Sequence, residues 1–258
     1  KTASGPYYRP LFNIALIVNY QLFGLEVFGW HLVSLLIHVG VVFLVYRLAR
    51  RWDLSPEVAA AGALLFGLHP VHSESVAWIA ALPDPLAAVF ILASLLFYES
   101  HYHGKISEPH VLVASVGLAY MAMLSKEVAI IFPFFLAVRE ALDRPDGEKL
   151  GQTLLRTARR AAPFFALIVL YLGMRYYVLG SLRQDEPKTM GIPLLQVLIT
   201  IPSVLLSYAR MLFLPYPLAV IYDNTYVHSI SDVRFWGAGL AVTVLLIAAI
   251  WLVRSSQT

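Results

Sequence analysis

Residues 30–51, WHLVSLLIHVGVVFLVYRLARR, decide the class of fold to which this chain belongs. The stretch up to Tyr46 is mostly apolar, and RLARR follows at 47–51. A helix needs roughly 20 mostly apolar residues to cross a bilayer. Clustered arginines at one end mark the cytoplasmic side of such a helix. The stretch therefore predicts a membrane-spanning helix that ends in the cytoplasm.

The composition of the whole chain supports the same class. Of its 258 residues, 59% are hydrophobic and 14% are charged, whereas soluble domains carry roughly a quarter charged residues. The short alternating segments of a β-barrel do not occur. The absence of cysteine excludes disulfides and thiolate metal sites. We predict an all-α, polytopic transmembrane helical bundle in which 1–258 forms a single transmembrane domain.

The order of apolar and polar segments predicts the topology. Residues 10–24 are amphipathic and too short to span, which favours a helix in the membrane interface. Residues 192–214 lie along the outer surface or re-enter, because they contain two prolines and a late arginine; alternatively they span. Residues 139–160 form a polar segment. Full spans are predicted at 30–50, 85–99, 110–124, 127–141, 161–179 and 235–253, with a short span or half-span at 56–69.

Four polar stretches share the outer face in this topology. They are YYRP (7–10), HPVHSE (69–74), SKE (125–127) and YDNTY (222–226). Distant parts of the chain therefore meet on one side of the membrane. We expect a site built from loops on a helical scaffold, with interfacial helices in the outer loops.

Several motifs, taken in order, carry a resemblance to a known family. They are YYRPL, GWHLVSLLIHVG, HPVHSESVAWIA followed by Asp84, LSKEVAI and YARMLFLPYPLAVIYD. This ordered set resembles the membrane half of the transmembrane-and-tetratricopeptide-repeat glycosyltransferases, which are grouped with the protein O-mannosyltransferases in the GT-C superfamily. In that family an acidic pair would precede Lys1 and the repeats would follow the membrane part. We therefore expect the chain to be a piece of a longer protein.

The resemblance implies a membrane glycosyltransferase. Such an enzyme moves a mannose-like sugar from a polyprenyl-phosphate carrier to a protein hydroxyl or another acceptor, such as a glycan, on the non-cytoplasmic face. The expected location is the bacterial inner membrane rather than the endoplasmic reticulum, with the bilayer but no nucleic acid as a partner. The alternative is a non-catalytic transporter of lipid-linked sugars or a membrane scaffold. A transporter would show inverted repeats and polar groups near the midplane, and the sequence shows neither.

The chemistry of such a transfer selects candidate residues in the outer loops. An acceptor hydroxyl must lose a proton to a carboxylate, for which Glu74, Glu127 and Asp223 are candidates. The carrier phosphate must be held by cations, for which Arg9, Lys126 and Arg210 are candidates. Each has a simpler interpretation: Arg9 as a snorkelling side chain, Lys126 and Glu127 as a hairpin cap with a local ion pair, and Arg210 as the partner of Asp223. Arg175, near the outer end of its span, is a weaker candidate of the same kind.

His72 and Glu74 are the candidate metal ligands. Imidazole and carboxylate can bind zinc or manganese, and phosphate oxygens could complete the shell of a divalent cation (Mn, Mg or Zn). The alternative is a polar turn, with Ser73 or Ser75 as the N-cap of the next helix and Glu74 in its first turn. His31, Ser34 and His38 share one face of the first span and are predicted to form hydrogen bonds between helices.

Overall fold

A computed structural model describes residues 7–104, 108–145, 147–181, 193–219 and 226–255, and within these ranges every regular element is helical. This confirms the predicted all-α bundle. The chain separates into two compact units, Lys1–Gln184 and Asp185–Thr258, so the single domain over 1–258 stays a prediction. Four helices are long and apolar enough to cross a membrane, at Val27–Arg51, Ile79–Tyr102, Leu150–Leu179 and Leu194–Phe213. The chain is a multi-pass membrane protein.

The first unit contains eight α-helices and three short 3₁₀ segments within its described residues. The 3₁₀ segments lie at Pro70–His72, Ile79–Ala81 and Glu127–Ile131. The helices are α1 (Pro10–Phe23), α2 (Val27–Arg51), α3 (Pro56–Gly67), α4 (Ser73–Ala77), α5 (Pro83–Tyr102), α6 (Pro109–Ser125), α7 (Phe132–Leu142) and α8 (Leu150–Leu179).

Proline and glycine set several of these boundaries. Pro10, Pro56 and Pro109 stand at the first position of their helices, where a missing N–H costs nothing and the fixed φ is already helical. Gly180 ends α8 with a φ of 71°, a left-handed conformation that glycine adopts without strain. These local signals explain why the predicted and observed ends of most helices agree. The predicted full span at 127–141 is wrong, because these residues divide into the 3₁₀ segment Glu127–Ile131 and the helix α7, whose 11 residues are too few to cross a bilayer.

The hairpin of α5 and α6 is held together by a reciprocal pair of serine hydrogen bonds. The Ser94 hydroxyl donates to the Ser115 carbonyl oxygen at 2.7 Å, and the Ser115 hydroxyl donates to the Ser94 carbonyl oxygen at 2.7 Å. Both serines are fully buried, as are Ala119 and Ala122 on α6. Small residues let two helix backbones approach closely where no water drives them together. The hairpin therefore depends on small side chains at this crossing.

A leucine at this crossing is expected to destabilise the first unit. Ser94→Leu adds volume to a fully buried position and should lower the free energy of unfolding by about 1–3 kcal/mol. Ser94→Ala removes only the hydroxyl and should cost about 0.6 kcal/mol. The thermal unfolding midpoints of both variants in detergent measure the difference. A Ser94→Leu protein as stable as wild type would show that the helices do not pack closely here.

The apolar core of the first unit joins α5, α6, α7 and α8. Its fully buried members include Tyr98, Met123, Leu136, Phe164 and Tyr171. From α5 to α8, helices that follow one another along the chain run in opposite directions, so each polar loop falls at one of the two ends of this core. The core therefore separates two groups of charged side chains.

The predicted polar segment at 139–160 is largely helical, which corrects the sequence interpretation. The helix α7 continues to Leu142, and α8 begins at Leu150 rather than near 161. The arginines of the first turns of α8 do not remain in water: Arg156 Nη1 donates to Glu140 Oε2 at 2.6 Å, and Arg160 Nη1 donates to the same oxygen at 2.8 Å. Ion pairing across the two helices stabilises the helical conformation of a segment rich in charged residues.

Glu140 is the centre of a buried ionic network at the end of the bundle that also carries Arg51. Its carboxylate is fully buried and also accepts a hydrogen bond from His103 Nε2 at 2.8 Å. Arg139 contacts the buried Glu99 with 3.1 Å between Nε and Oε1, and Arg51 Nη2 donates to the Glu99 carbonyl oxygen at 3.0 Å. We refer to Glu140, His103, Arg156 and Arg160 as the Glu140 network. It ties α7 and α8 to the end of α5.

The hydrogen bonding of α2 confirms one predicted interhelical contact and corrects another. His38 Nε2 lies 3.0 Å from the Gly67 carbonyl oxygen of α3. The Ser34 hydroxyl instead donates to the Trp30 carbonyl oxygen of its own helix at 3.3 Å. A serine in a helix can satisfy its hydroxyl on the preceding turn, so burial of Ser34 requires no partner on a second helix.

The second unit contains α9 (Leu194–Phe213) and α10 (Val233–Ser255). Pro202 lies inside α9. The Val227 N–H donates to the Thr200 hydroxyl oxygen at 3.0 Å, which fixes the chain before α10 against α9. By length and hydropathy α9 could cross a membrane, and this favours the spanning alternative for 192–214.

Candidate active site

Arg9 and Glu127 form a bidentate ion pair at one end of the first unit. Arg9 Nε donates to Glu127 Oε2 at 2.7 Å, and Arg9 Nη2 donates to Glu127 Oε1 at 2.6 Å. The two side chains are 16% and 24% exposed, so the pair is partly shielded from water. Parallel N–H···O bonds of this kind fix both the distance and the plane of the guanidinium. Arg9 is therefore held in a defined orientation before α1 begins.

Lys126 and Asp84 form a second ion pair beside the first. The Lys126 ammonium donates to Asp84 Oδ1, and the two side chains are 24% and 41% exposed. Lys126 stands at the C-terminal end of α6 and Asp84 at the N-terminal end of α5. We refer to Arg9, Asp84, Lys126 and Glu127 as the Arg9 cluster.

Antiparallel packing explains why these residues meet. The helix α5 starts where α6 ends, so Asp84 and Lys126 occupy the same end of their hairpin. The SKE segment then turns into a 3₁₀ segment that places Glu127 next to the chain entering α1. Three sequence-predicted residues, Arg9, Lys126 and Glu127, therefore lie in one cluster.

Tyr8 and Tyr171 attach the Arg9 cluster to the end of α8. The Tyr171 hydroxyl donates to the Tyr8 carbonyl oxygen at 3.2 Å, and the two ring centroids are 5.8 Å apart. Tyr171 is fully buried. Tyr8 thus packs against the core of the first unit.

The pKa of Glu127 is held below its ordinary value. Burial alone would raise this pKa, but the hydrogen bonds and positive charge of Arg9 outweigh that effect, and the charge of Lys126 adds to the decrease. Glu127 is therefore ionised at neutral pH. A carboxylate with a low pKa is a weak base, which suits Glu127 to holding Arg9 better than to accepting a proton.

This shift predicts how the ion pair depends on pH. Because the pKa of Glu127 is lower in the folded protein, the pair contributes stability above the ordinary value of 4.5 and loses it as the pH falls through the folded value. We expect Glu127→Gln to lower the thermal unfolding midpoint near neutral pH. The difference from wild type should shrink progressively as the pH falls below 4.5, and a difference independent of pH would contradict this account.

The HPVHSE segment forms a short 3₁₀ turn followed by α4. His69 Nδ1 accepts a hydrogen bond from the Val71 N–H at 3.2 Å. The Ser73 hydroxyl donates to the Pro70 carbonyl oxygen at 2.7 Å. The N-cap of α4 is His72, with no side-chain hydrogen bond, and Ser75 lies inside the helix. The predicted serine cap is therefore wrong, whereas Glu74 does stand in the first turn of α4, with an exposed side chain.

His72 packs among aromatic rings rather than beside carboxylates. Its ring centroid lies 4.4 Å from that of Phe66 and 5.5 Å from that of His38. Burial lowers the pKa of His72, and the nearby His38 and His69 lower it further. The neutral ring is the form that binds metals. However, within the described ranges no three His, Asp or Glu side chains are placed to hold one ion. The divalent cation at His72 and Glu74 stays a prediction, and we derive no step through it.

The remaining predicted residues belong to the second unit. Arg210 is exposed, and its Nη2 donates to the Tyr216 carbonyl oxygen at 2.5 Å. Asp223, proposed as its partner or as a catalytic carboxylate, lies outside the described residues. A phosphate contact by Arg210 stays a prediction.

Comparison with curated proteins gives relatives of one kind. Protein O-mannosyl-transferase TMTC4 of Homo sapiens is 35% identical over 142 residues, which cover 48% of this chain and 19% of that protein. Protein O-mannosyl-transferase Tmtc1 of Drosophila melanogaster is 36% identical over 126 residues, 48% of this chain and 14% of that protein. Protein O-mannosyl-transferase tmtc2 of Xenopus laevis is 26% identical over 252 residues, 91% of this chain and 30% of that protein.

The chain is related to these protein O-mannosyl-transferases. The family resemblance carried by the sequence motifs is thereby confirmed. The chain spans between 14% and 30% of the length of these three relatives. No protein-family model matches it, and no solved structure is similar to it.

Sequence reasoning missed two contributors to the site of this O-mannosyl-transferase relative. Asp84 was noted only for its place in the motif order, and its pairing with Lys126 depends on the α5–α6 hairpin. Tyr171 was not selected at all, because a tyrosine in an apolar span carries no distinctive signal. An arginine four residues later, Arg175, was the available indication that this end of α8 is polar.

Proposed function

We propose that this chain is the membrane part of a glycosyltransferase that transfers a mannose-like sugar from a polyprenyl-phosphate carrier to a protein hydroxyl or another acceptor. The Arg9 cluster carries the proposal. It brings two cations from distant segments to one end of an apolar bundle, where a phosphate at the membrane surface could reach them. Arginine and lysine are the usual protein groups for stabilising a departing phosphate.

The surroundings of Arg9 suit a lipid-linked substrate. An apolar cavity of about 580 Å³ is lined in part by Phe12 and Leu16, one and two turns along α1 from Arg9. Trp78 and His31 also line this cavity. A cation at the helix start and an apolar cavity beside the helix match the phosphate and the hydrocarbon of one carrier.

The proposed reaction is a substitution at the anomeric carbon of the sugar. The acceptor hydroxyl oxygen bonds to that carbon, the bond from the carbon to the phosphate oxygen breaks, and the phosphate keeps the electron pair. The hydroxyl proton must pass to a carboxylate. Glu127 and Asp84 are both ion-paired, so the exposed Glu74 is the candidate base among the predicted carboxylates that the structure describes.

The orientation of the bundle favours a position of the Arg9 cluster on the non-cytoplasmic face of the membrane. Arg51 and the Glu140 network lie at the end opposite the Arg9 cluster. Positively charged ends of spans stay in the cytoplasm. The Arg9 cluster is then outside, as we propose for a transferase of the bacterial inner membrane.

Release of polyprenyl phosphate from polyprenyl-phosphate mannose tests the proposal. Full-length protein in membranes is compared with Lys126→Gln, and Lys149→Gln at the opposite end of the bundle is the matched control. We expect release by wild type and the control, and about 10-fold or greater loss in Lys126→Gln, because a charged hydrogen-bond partner of the phosphate is removed.

Glu74→Gln at matched expression tests the predicted base in the same assay. Loss of turnover with intact folding would assign Glu74 a catalytic role. Unchanged turnover would show that HPVHSE is only a structural turn. Failure of wild type to release any carrier phosphate would refute the transferase and favour a transporter or scaffold.

A further inference from the structure

Arg175 is a buried cation whose charge is not balanced within the described part of the chain. It lies on α8, one turn after Tyr171, and is 5% exposed. Its Nε is buried and has no hydrogen-bond partner among the described residues. Within the same ranges Arg175 forms no ion pair, whereas Arg9 and Lys126 each have a carboxylate partner.

An unbalanced guanidinium in this setting calls for an anion. Burying an ion away from water costs several kcal/mol unless an opposite charge and hydrogen bonds compensate it. The Arg175 guanidinium is close enough to the Tyr171 hydroxyl to act on it, but a neutral phenol does not balance a positive charge. A ligand that brings negative charge to Arg175 would remove this cost.

Tyr171 connects Arg175 to the Arg9 cluster. The Tyr171 hydroxyl lies near Arg175 and donates to the carbonyl oxygen of Tyr8, the residue before Arg9. The charges of Glu127 and Arg9 are also near enough to act on Tyr171. Arg175 therefore approaches the same site from α8.

We propose that Arg175 is a third contact for the carrier phosphate and supplies the charge that the leaving phosphate requires. This inference rests on the proposed function. The Arg9–Glu127 and Lys126–Asp84 pairs are each neutral as a unit, so Arg175 gives the site its excess positive charge. The carrier phosphate is a diester with one negative charge before transfer. As a monoester after transfer it carries about −1.5 to −2 at neutral pH. Arg175 thus favours the state in which the bond to the sugar is broken.

Equilibrium binding of two lipids to the full-length protein in nanodiscs tests this role. The lipids are polyprenyl phosphate and the neutral polyprenol of the same chain length. We expect Arg175→Gln to weaken binding of polyprenyl phosphate about 10- to 100-fold, the range for a charged hydrogen bond. Binding of polyprenol should not change. Arg175→Lys should give an intermediate loss, and the exposed Arg159→Gln on the same helix should bind as wild type does.

Each other outcome has a distinct meaning. Wild-type affinity of Arg175→Gln for polyprenyl phosphate would overturn the inference and leave the proposed function intact. An equal loss of affinity for both lipids would also overturn the inference, because a structural defect does not discriminate a phosphate from an alcohol. If wild-type protein binds polyprenol and polyprenyl phosphate equally and releases no carrier phosphate from the mannosyl lipid, the proposed function fails, and this inference fails with it.

Discussion

Arg9→Gln is expected to lower kcat/KM for carrier-phosphate release by about 100-fold or more, the usual effect of removing one preorganised group that stabilises developing charge. Arg9 is preorganised because both of its bonds to Glu127, at 2.7 and 2.6 Å, use one edge of the guanidinium. The remaining N–H groups are left for a phosphate. Arg9→Lys should not restore activity, since an ammonium cannot hold Glu127 and a phosphate in the same fixed geometry.

Glu127→Gln is the variant to compare with Arg9→Gln in the same assay. The variant weakens the bidentate pair but leaves the Arg9 charge in place, so we expect a smaller loss of about 10-fold. Combining the two substitutions should cost little more than Arg9→Gln alone, because the residues act as one unit. Arg159→Gln on the exposed surface of α8 controls for loss of positive charge.

Two results would contradict this account. Strictly additive losses in the double variant would show that Glu127 acts independently of Arg9, as the carboxylate that takes the acceptor proton would. If the activity of Arg9→Gln equals that of wild type, the simpler interpretation of Arg9 as a snorkelling side chain is favoured.

Glu140→Ala is expected to have the largest effect on stability, a loss of about 3–5 kcal/mol in the free energy of unfolding. The carboxylate is fully buried, and Arg156, Arg160 and His103 all donate to it. Its removal leaves two arginine side chains partly buried without their shared counter-charge. Thermal unfolding in detergent, with the fraction of monodisperse protein, measures the loss.

Glu148→Ala is the matched control for this prediction. Glu148 accepts from the same Arg156, with 3.1 Å between Nε and Oε1, but it lies in the loop before α8 rather than in the core. We expect a much smaller loss of stability. Similar unfolding midpoints for Glu140→Ala and Glu148→Ala would show that the network does not hold α7 to α8.

The sequence by itself determined the class of protein and most of its helices. Apolar length is a property of one segment, so the long spans at 30–50 and 85–99 could be found without knowing their neighbours. The helix starts at Pro10, Pro56 and Pro109 could be found in the same way, because proline at the first helical position is a local signal. There were two exceptions. The start of α8 lies in a polar segment whose helix formation depends on Glu140 of another helix, and the predicted span at 127–141 is divided between a 3₁₀ segment and α7.

Only the tertiary structure decided which of the candidate residues meet. Arg9 and Glu127 are 118 positions apart, and Lys126 and Asp84 are 42 apart. A charged residue in a loop carries no information about its partner, because the partner is chosen by how helices pack and which of their ends coincide. The same holds for Arg175, which the sequence shows only as an arginine near the end of a span. Its burial beside Tyr171, with no counter-charge among the described residues, arises from the packing of α8 against the chain that enters α1.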